Sequence, residues 1–355
     1  MTTLWDPTTV GKIELKHRMA LAPMTRSRAN ADGTPGEHAA QYYAQRASLG
    51  LLITEGVQPS DDGQGYLTTP GIYTDAHVEG WRRVTDAVHE GGGAIFMQLM
   101  HAGRVAHPDN TPHNRQPVSA SAIEAEIPMH TPTGSKNAPA PRALSTDEVK
   151  ATVQDFRNAA AAAIRAGADG VEIHGANGYL VHQFFSPNAN ERTDEYGGSI
   201  ENRARFAIEV AAAIADEIGA DRTAIRLSPG LKVGGLDEGA EAGDLYRYLI
   251  AELAKLDLAY VHVLHAGDDE LLRDIRAAWP NTLLVLRIDR TLETLEDDIA
   301  TGLADVVPLG RWALANPDIV ERLRTGADLN APDGSSFYGG GASGYIDYPT
   351  LDQAK

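Results

Sequence analysis

The run HGANGY at positions 174–179 puts an imidazole, a carboxamide and a phenol within six residues. His174 and Asn177 are three apart, so in a helical turn they share a face and can both donate to one oxygen. Tyr179, two residues on, can give up a proton. Two donors polarising a carbonyl beside a proton source are what a conjugate reduction needs. A lone histidine is more often a satisfied core residue. The triplet stands at a strand end and is followed by SPNANERTDEYGGSIENR, which favours chemistry.

Such side chains need a frame to aim them. Eight short apolar runs have strand character: 18–23 (RMALAP), 51–57 (LLITEGV), 94–100 (AIFMQLM), 169–175 (DGVEIHG), 223–229 (TAIRLSP), 259–265 (AYVHVLH), 283–288 (LLVLRI) and 305–310 (DVVPLG). They are near-continuous rather than alternating, the pattern of parallel strands covered on both faces. Amphipathic segments lie between them. The clearest runs from Ser145, which forms a capping box with Glu148, to a stop at Gly167. Others run from Asp75 to Gly91–Gly93, from about Ser199 to Gly219 and from about Asn316 to Gly326. Eight strand–helix units favour an α/β fold of the (β/α)8 TIM-barrel type, in one domain spanning 1–355. Reactive groups then belong at the C-terminal ends of the strands.

Two segments break the rhythm. Residues 101–143 follow strand three and are rich in Pro, His and small polar residues, which reads as a long functional loop, a lid or wall of a site. The tail from Ser335 is rich in Gly and Tyr. It reads as an ordered segment folded against the active face, the alternative being a flexible end. His101, His107, His113 and His130 share the insertion but lack compact ligand spacing, so no metal is expected.

Composition removes several function classes. The 31 basic residues against 49 acidic ones give a formal charge of −18. That field repels nucleic acid and anionic membranes. With no cysteine, disulfides, thiolate nucleophiles and iron–sulfur clusters are excluded. No leader pattern and no run near the roughly 18 apolar residues of a membrane span appear, so a cytoplasmic protein is expected.

The stretch HGANGYLVHQFFSPNANERTDEYGGSIENRARF resembles the central signature of the Old Yellow Enzyme family. APMTRSRA (22–29), QYYAQRAS (41–48), GYLTTPGIYTD (65–75), MQLMHAGR (97–104), IRLSP (225–229), GRWALANPDIVERL (310–323) and FYGGGASGYIDYPT (337–350) follow in family order. The resemblance covers about residues 4–350. It implies a barrel with non-covalently bound FMN at its mouth, reduced by NADPH or NADH, that reduces activated C=C bonds of α,β-unsaturated carbonyl or nitro compounds. A monomer or homodimer with a small-molecule substrate is expected.

By the same resemblance, Ala22, Pro23, Met24 and Thr25 would lie beside the flavin, with Thr25 bonding its O4. Gly56 would leave room for backbone contact. Gln98 would pair with the pyrimidine edge, and Arg226 would stabilise the charge of reduced flavin. Gly310 and Arg311 would hold the phosphate. His174 and Asn177 would grip the substrate, and Tyr179 would protonate Cα after hydride arrives from flavin N5. Tyr66, Met100 and Tyr345 would line the substrate pocket, with Met100 where many relatives carry Trp. The sequence departs from the family at strand seven, where LLVLRIDRT replaces a Gly-containing turn. Arg287 can add a phosphate donor there, and Asp289 can repel. Two rival readings remain at this stage: a nitrate-ester or nitroaromatic reductase on the same site, and a phosphate-binding barrel without redox chemistry.

Overall fold

The computed structural model of the protein describes residues 2–353. Met1, Ala354 and Lys355, the ends of the expected 1–355 domain, lie outside the described residues. Eight parallel strands form the frame: β1 (Met19–Leu21), β2 (Leu51–Val57), β3 (Ala94–Leu99), β4 (Gly170–Gly175), β5 (Thr223–Leu227), β6 (Tyr260–His265), β7 (Thr282–Arg287) and β8 (Val307–Leu309). From β1 to β7 each strand pairs with the next in sequence, and β8 pairs with β1. The last gap is closed by a parallel bridge between Leu284 and Val306 and by Asp305 N donating to Leu283 O at 2.8 Å. The sheet is therefore a barrel, as the eight-fold alternation implies. All eight expected runs hold strands. Several are shorter than expected at one or both ends.

Among the described residues, ten α-helices follow the strands or cap the barrel: α1 (Ala39–Ala44), α2 (Asp75–Glu90), α3 (Thr146–Arg165), α4 (Leu180–Phe185), α5 (Ile200–Ile218), α6 (Ala242–Ala254), α7 (Asp269–Ala278), α8 (Asp297–Ala300), α9 (Arg311–Ala315) and α10 (Ile319–Thr325). The capping box at Ser145 is present in both directions. The helix expected over 316–326 begins later, at Ile319. Pro317 brings no N–H and holds its predecessor out of the α region. The Asn316 side chain instead donates to Trp312 O, ending α9.

The bottom of the barrel is closed by a two-stranded hairpin, Thr8–Val10 with Ile13–Leu15. Its turn needs Gly11: φ is +56°, and a Cβ there would meet Asp221 O at 2.1 Å. Val10 and Leu15 pack on the inward residues Ala20, Leu51, Ile53, Phe96, Ala224, Tyr260 and Leu284. Two residues further along the strands, the same inward face becomes polar. Phe96 is followed by Gln98, Ala224 by Arg226 and Tyr260 by His262, while Glu172 is followed by His174. With a side-chain period of two, the barrel has an apolar floor and a charged layer above it, at the C-terminal end.

Segment 101–143 is not structureless. It contains a hairpin, Pro128–Thr131 with Gly134–Asn137, and a short parallel pair, Val118–Ser119 with Arg142–Ala143. Arg104 ties it down by donating to the carbonyls of Ile123, Glu124 and Gly235. The tail is also ordered. Arg26 donates to Phe337 O and Gly344 O, and Arg28 to Ser336 O and Ser343 O.

Candidate active site

Two adjoining cavities open at the C-terminal face. The inner one, of about 320 Å³, is lined by Pro23, Met24, Thr25, Gln98, Met100, His174, Asn177, Tyr179, Arg226 and Arg311, with Leu314, Phe337 and Tyr338. The outer one, of about 520 Å³, shares Thr25, Tyr179 and Tyr338 and adds Tyr66 and the hairpin residues Ile127–His130. Nine of the residues expected to do chemistry or bind a cofactor, and the expected substrate-pocket residues Met100 and Tyr66, thus border these adjoining cavities.

The carbonyl-gripping pair is assembled by a turn rather than a helix. β4 ends at Gly175, and Asn177 and Gly178 both take positive φ, +57° and +87°. The helical spacing argument for His174 and Asn177 is therefore corrected. Gly178 is required at its position, since a Cβ would meet Val233 O at 2.8 Å. Asn177 N donates to Ser228 Oγ at 3.0 Å, which pins the left-handed turn. His174 Nδ1 accepts from Ala176 N at 3.3 Å, so the ring proton resides on Nε2 and is available as a donor. Burial, followed by the nearby charge of Arg226, holds the His174 pKa well below its ordinary value. The imidazole is neutral at neutral pH. Asn177 Oδ1 and Arg226 Nε are buried without a hydrogen-bond partner among the described residues.

Tyr179 is the N-cap of α4, with its ring edge-on to His174 at 4.8 Å between centroids. Its hydroxyl lies 3.1 Å from that of Tyr66. Burial pushes the Tyr179 pKa well above 10, and that of Tyr66 also upward. Both phenols carry their protons at neutral pH.

Some expected residues act differently. Ala22 N donates to Leu309 O at 2.9 Å and closes the β8–β1 seam. Gly56 lies within β2, and a Cβ there would meet Met100 Sδ at 2.5 Å. Its missing side chain makes room for Met100. Gly310 caps α9 and does not line the cavity, whereas Arg311 beside it does. Tyr345 is corrected more strongly. It is 2% exposed and stacks on Tyr42 at 4.2 Å, with the Arg26 and Arg28 guanidiniums near its ring. Tyr338, 68% exposed on the same tail, faces both cavities in its place.

At the exit of β7, Arg287 forks onto Asp298 at 2.8 and 2.9 Å and also donates to Asp269 at 2.8 Å. Arg290 pairs with the same Asp298. The Arg287 fork is therefore already committed to carboxylates, and Asp289 is exposed. Sequence reasoning passed over Ser228, Phe337, Tyr338 and the hairpin 127–130. For Ser228 the signal was available, at the exit of a strand carrying Arg226. The others come from loops whose paths no periodicity reveals.

An inner cavity flanked by Thr25, Gln98 and Arg226, with buried donors and acceptors left unpaired, suits a flat ring with polar edges. The fold and site thus define a TIM-barrel oxidoreductase with a flavin-type cofactor. The comparisons agree. Residues 3–330 match the model of the NADH:flavin oxidoreductase / NADH oxidase family. A putative 12-oxophytodienoate reductase 5 of Oryza sativa subsp. japonica is 45% identical over 97% of this chain and 93% of its own. Morphinone reductase in complex with tetrahydroNAD superposes with a TM-score of 0.94 at 43% identity, covering 99% of this chain and 98% of that one. An old yellow enzyme homologue from Zymomonas mobilis gives 0.94 at 38%, covering 98% and 100%. The chain belongs to the NADH:flavin oxidoreductase family, alongside the Old Yellow Enzyme homologues, and is a flavin oxidoreductase. That removes the reading of a barrel without redox chemistry. Among the described residues no helix is long and apolar enough to cross a membrane.

Proposed function

We propose that this protein is an ene-reductase that uses FMN and NADH or NADPH to reduce the C=C bond of α,β-unsaturated carbonyl or nitro compounds. The reading rests on one observation: a neutral imidazole donor, an amide and a protonated phenol open onto the same cavity as Thr25, Gln98 and Arg226. Those last three, with Pro23, Met24 and Arg311, would hold FMN. When bound, FMN supplies a hydride equivalent derived from the nicotinamide.

The protein's own groups do the rest. His174 Nε2 and the Asn177 amide donate to the substrate's carbonyl or nitro oxygen. They draw electron density from the alkene and make Cβ electrophilic. Tyr179 delivers a proton to Cα as general acid. Tyr66, 3.1 Å away and lining the outer cavity, returns that proton. Neutral His174 suits this work, because it donates without placing a second full charge beside Arg226. The outer cavity, walled by Ile127, Met129 and Tyr338, accommodates the substrate's remaining apolar parts.

The test uses purified protein loaded with FMN. Anaerobic mixing with NADH or NADPH should bleach the flavin, and 2-cyclohexenone should restore its colour. A titration with a simple phenol should give a long-wavelength band that His174→Ala and Asn177→Ala each weaken at least tenfold. Flavin that is reduced but not reoxidised by enones or nitroalkenes would overturn the proposal.

A further inference from the structure

Beneath the inner cavity lies a buried carboxylate that the mechanism above does not use. Glu172 is on β4, two residues before His174 and so on the same inward face. Its side chain is 0% exposed. Gln98 Nε2 donates to Glu172 Oε1 at 2.7 Å, and His262 Nδ1 lies 2.9 Å from Oε2. Glu172 is level with Gln98 across β3–β4, while Arg226 and His262 are level with each other and with His174, one inward step nearer the cavity. A carboxylate buried without partners would be expelled or protonated. Here two donors and a nearby guanidinium keep it ionised. Burial holds the His262 pKa below its ordinary value, so His262 serves as a neutral donor through Nδ1.

Two consequences follow for the cavity above. Gln98 has two N–H groups and one carbonyl oxygen. With one N–H fixed on Glu172, the amide cannot flip, and its other groups face the cavity in one orientation. The second consequence is electrostatic. Arg226 is a buried guanidinium whose Nε has no partner among the described residues, and Glu172 is the carboxylate that offsets its charge. In a low-dielectric interior that compensation is weakly screened.

We propose that Glu172 is a positioning residue of the cofactor site, holding the Gln98 amide in one orientation and offsetting the charge of Arg226, so that it sets both FMN affinity and the ease of flavin reduction. This inference rests on the FMN reading above. Replacing Glu172 by Gln keeps the shape, removes the negative charge and leaves Gln98 at most a weaker neutral acceptor in place of a carboxylate. Reduced flavin, which carries negative charge, should then be favoured about tenfold over oxidised flavin, a rise of about 30 mV in the two-electron potential. Apoprotein titrated with FMN should bind it about tenfold more weakly. Glu172→Asp keeps the charge but shortens the reach to Gln98. It should weaken FMN binding at least threefold while the potential stays near that of the wild type.

The measurements are an FMN titration of apoprotein and a dye-coupled potentiometric titration of each holoprotein. A folded Glu172→Gln variant with unchanged potential overturns the proposal. If that variant does not fold, Glu172→Asp decides, and wild-type FMN affinity in it is the overturning result. A wild-type chain that binds no FMN would remove the flavin reading itself, and this inference with it.

Discussion

Replacing Tyr179 by Phe separates proton delivery from everything else the site does. The hydroxyl has one hydrogen-bonding neighbour, Tyr66, at 3.1 Å. Losing one neutral hydrogen bond costs about 1 kcal/mol, and Tyr66 borders the outer cavity rather than packed core. Phenylalanine keeps the ring and its edge-on contacts with His174 and Tyr66, so His174 and Asn177 stay where they are. Ligand affinity should change less than about threefold, a fraction of the roughly 1.4 kcal/mol that a tenfold change represents. The chemical step loses its general acid, worth about 10²–10⁴ in rate, or roughly 3–5 kcal/mol. Stopped-flow absorbance resolves the two halves. Flavin bleaching by the nicotinamide should match the wild type, and reoxidation by 2-cyclohexenone should slow by that factor. Because burial raises the Tyr179 pKa well above 10, wild-type reoxidation should not fall between about pH 6 and 9. If both half-reactions slowed together, or if reoxidation were unchanged, the assignment of Tyr179 would be wrong.

The cofactor's phosphate and the stability of the fold offer two further checks. Arg311 lines the inner cavity, whereas Arg287 is engaged with Asp298 and Asp269. Arg311→Ala should therefore weaken FMN by about 10- to 100-fold, the worth of a charge-assisted hydrogen bond, and leave riboflavin affinity unchanged in fluorescence titrations; equal losses for both would place the phosphate elsewhere. Glu55 is buried beside the backbone N–H groups of Arg26 and Ser27, and burial raises its pKa from 4.5 to about 7. Below pH 4.5 both folded and unfolded states hold the proton. As pH rises toward 7 the unfolded state releases it first, so stability falls across that window and levels off above it. At about 1.4 kcal/mol per unit the loss is on the order of 3 kcal/mol. In urea unfolding, Glu55→Gln should lack this decline, and a variant that tracks the wild type from pH 5 to 8 would contradict it.

Eight apolar runs and the capping box at Ser145 were legible in the sequence because local patterning determines them. Each strand must bury both faces, and each helix must satisfy its first N–H groups, wherever the chain goes next. The chemical types at the site were equally legible, since His174, Asn177 and Tyr179 stand at or just past the end of one strand and Arg226 lies in the next. How they converge was not. The turn that aims Asn177 depends on a left-handed φ stabilised by Ser228, 51 residues away. Tyr345 and Tyr338 are seven residues apart on one tail, yet one stacks in the core and the other faces the cleft. Arg26 and Arg28 decide that by binding the tail's carbonyls. Glu172 was readable as inward-facing from its period-two relation to His174. Only the folded barrel, which brings side chains of β3 and β6 onto the Glu172 carboxylate, supplied the Gln98 and His262 that make a buried charge tolerable. Patterning along the chain fixes what each segment must bury, whereas contacts between distant segments fix where its polar groups point.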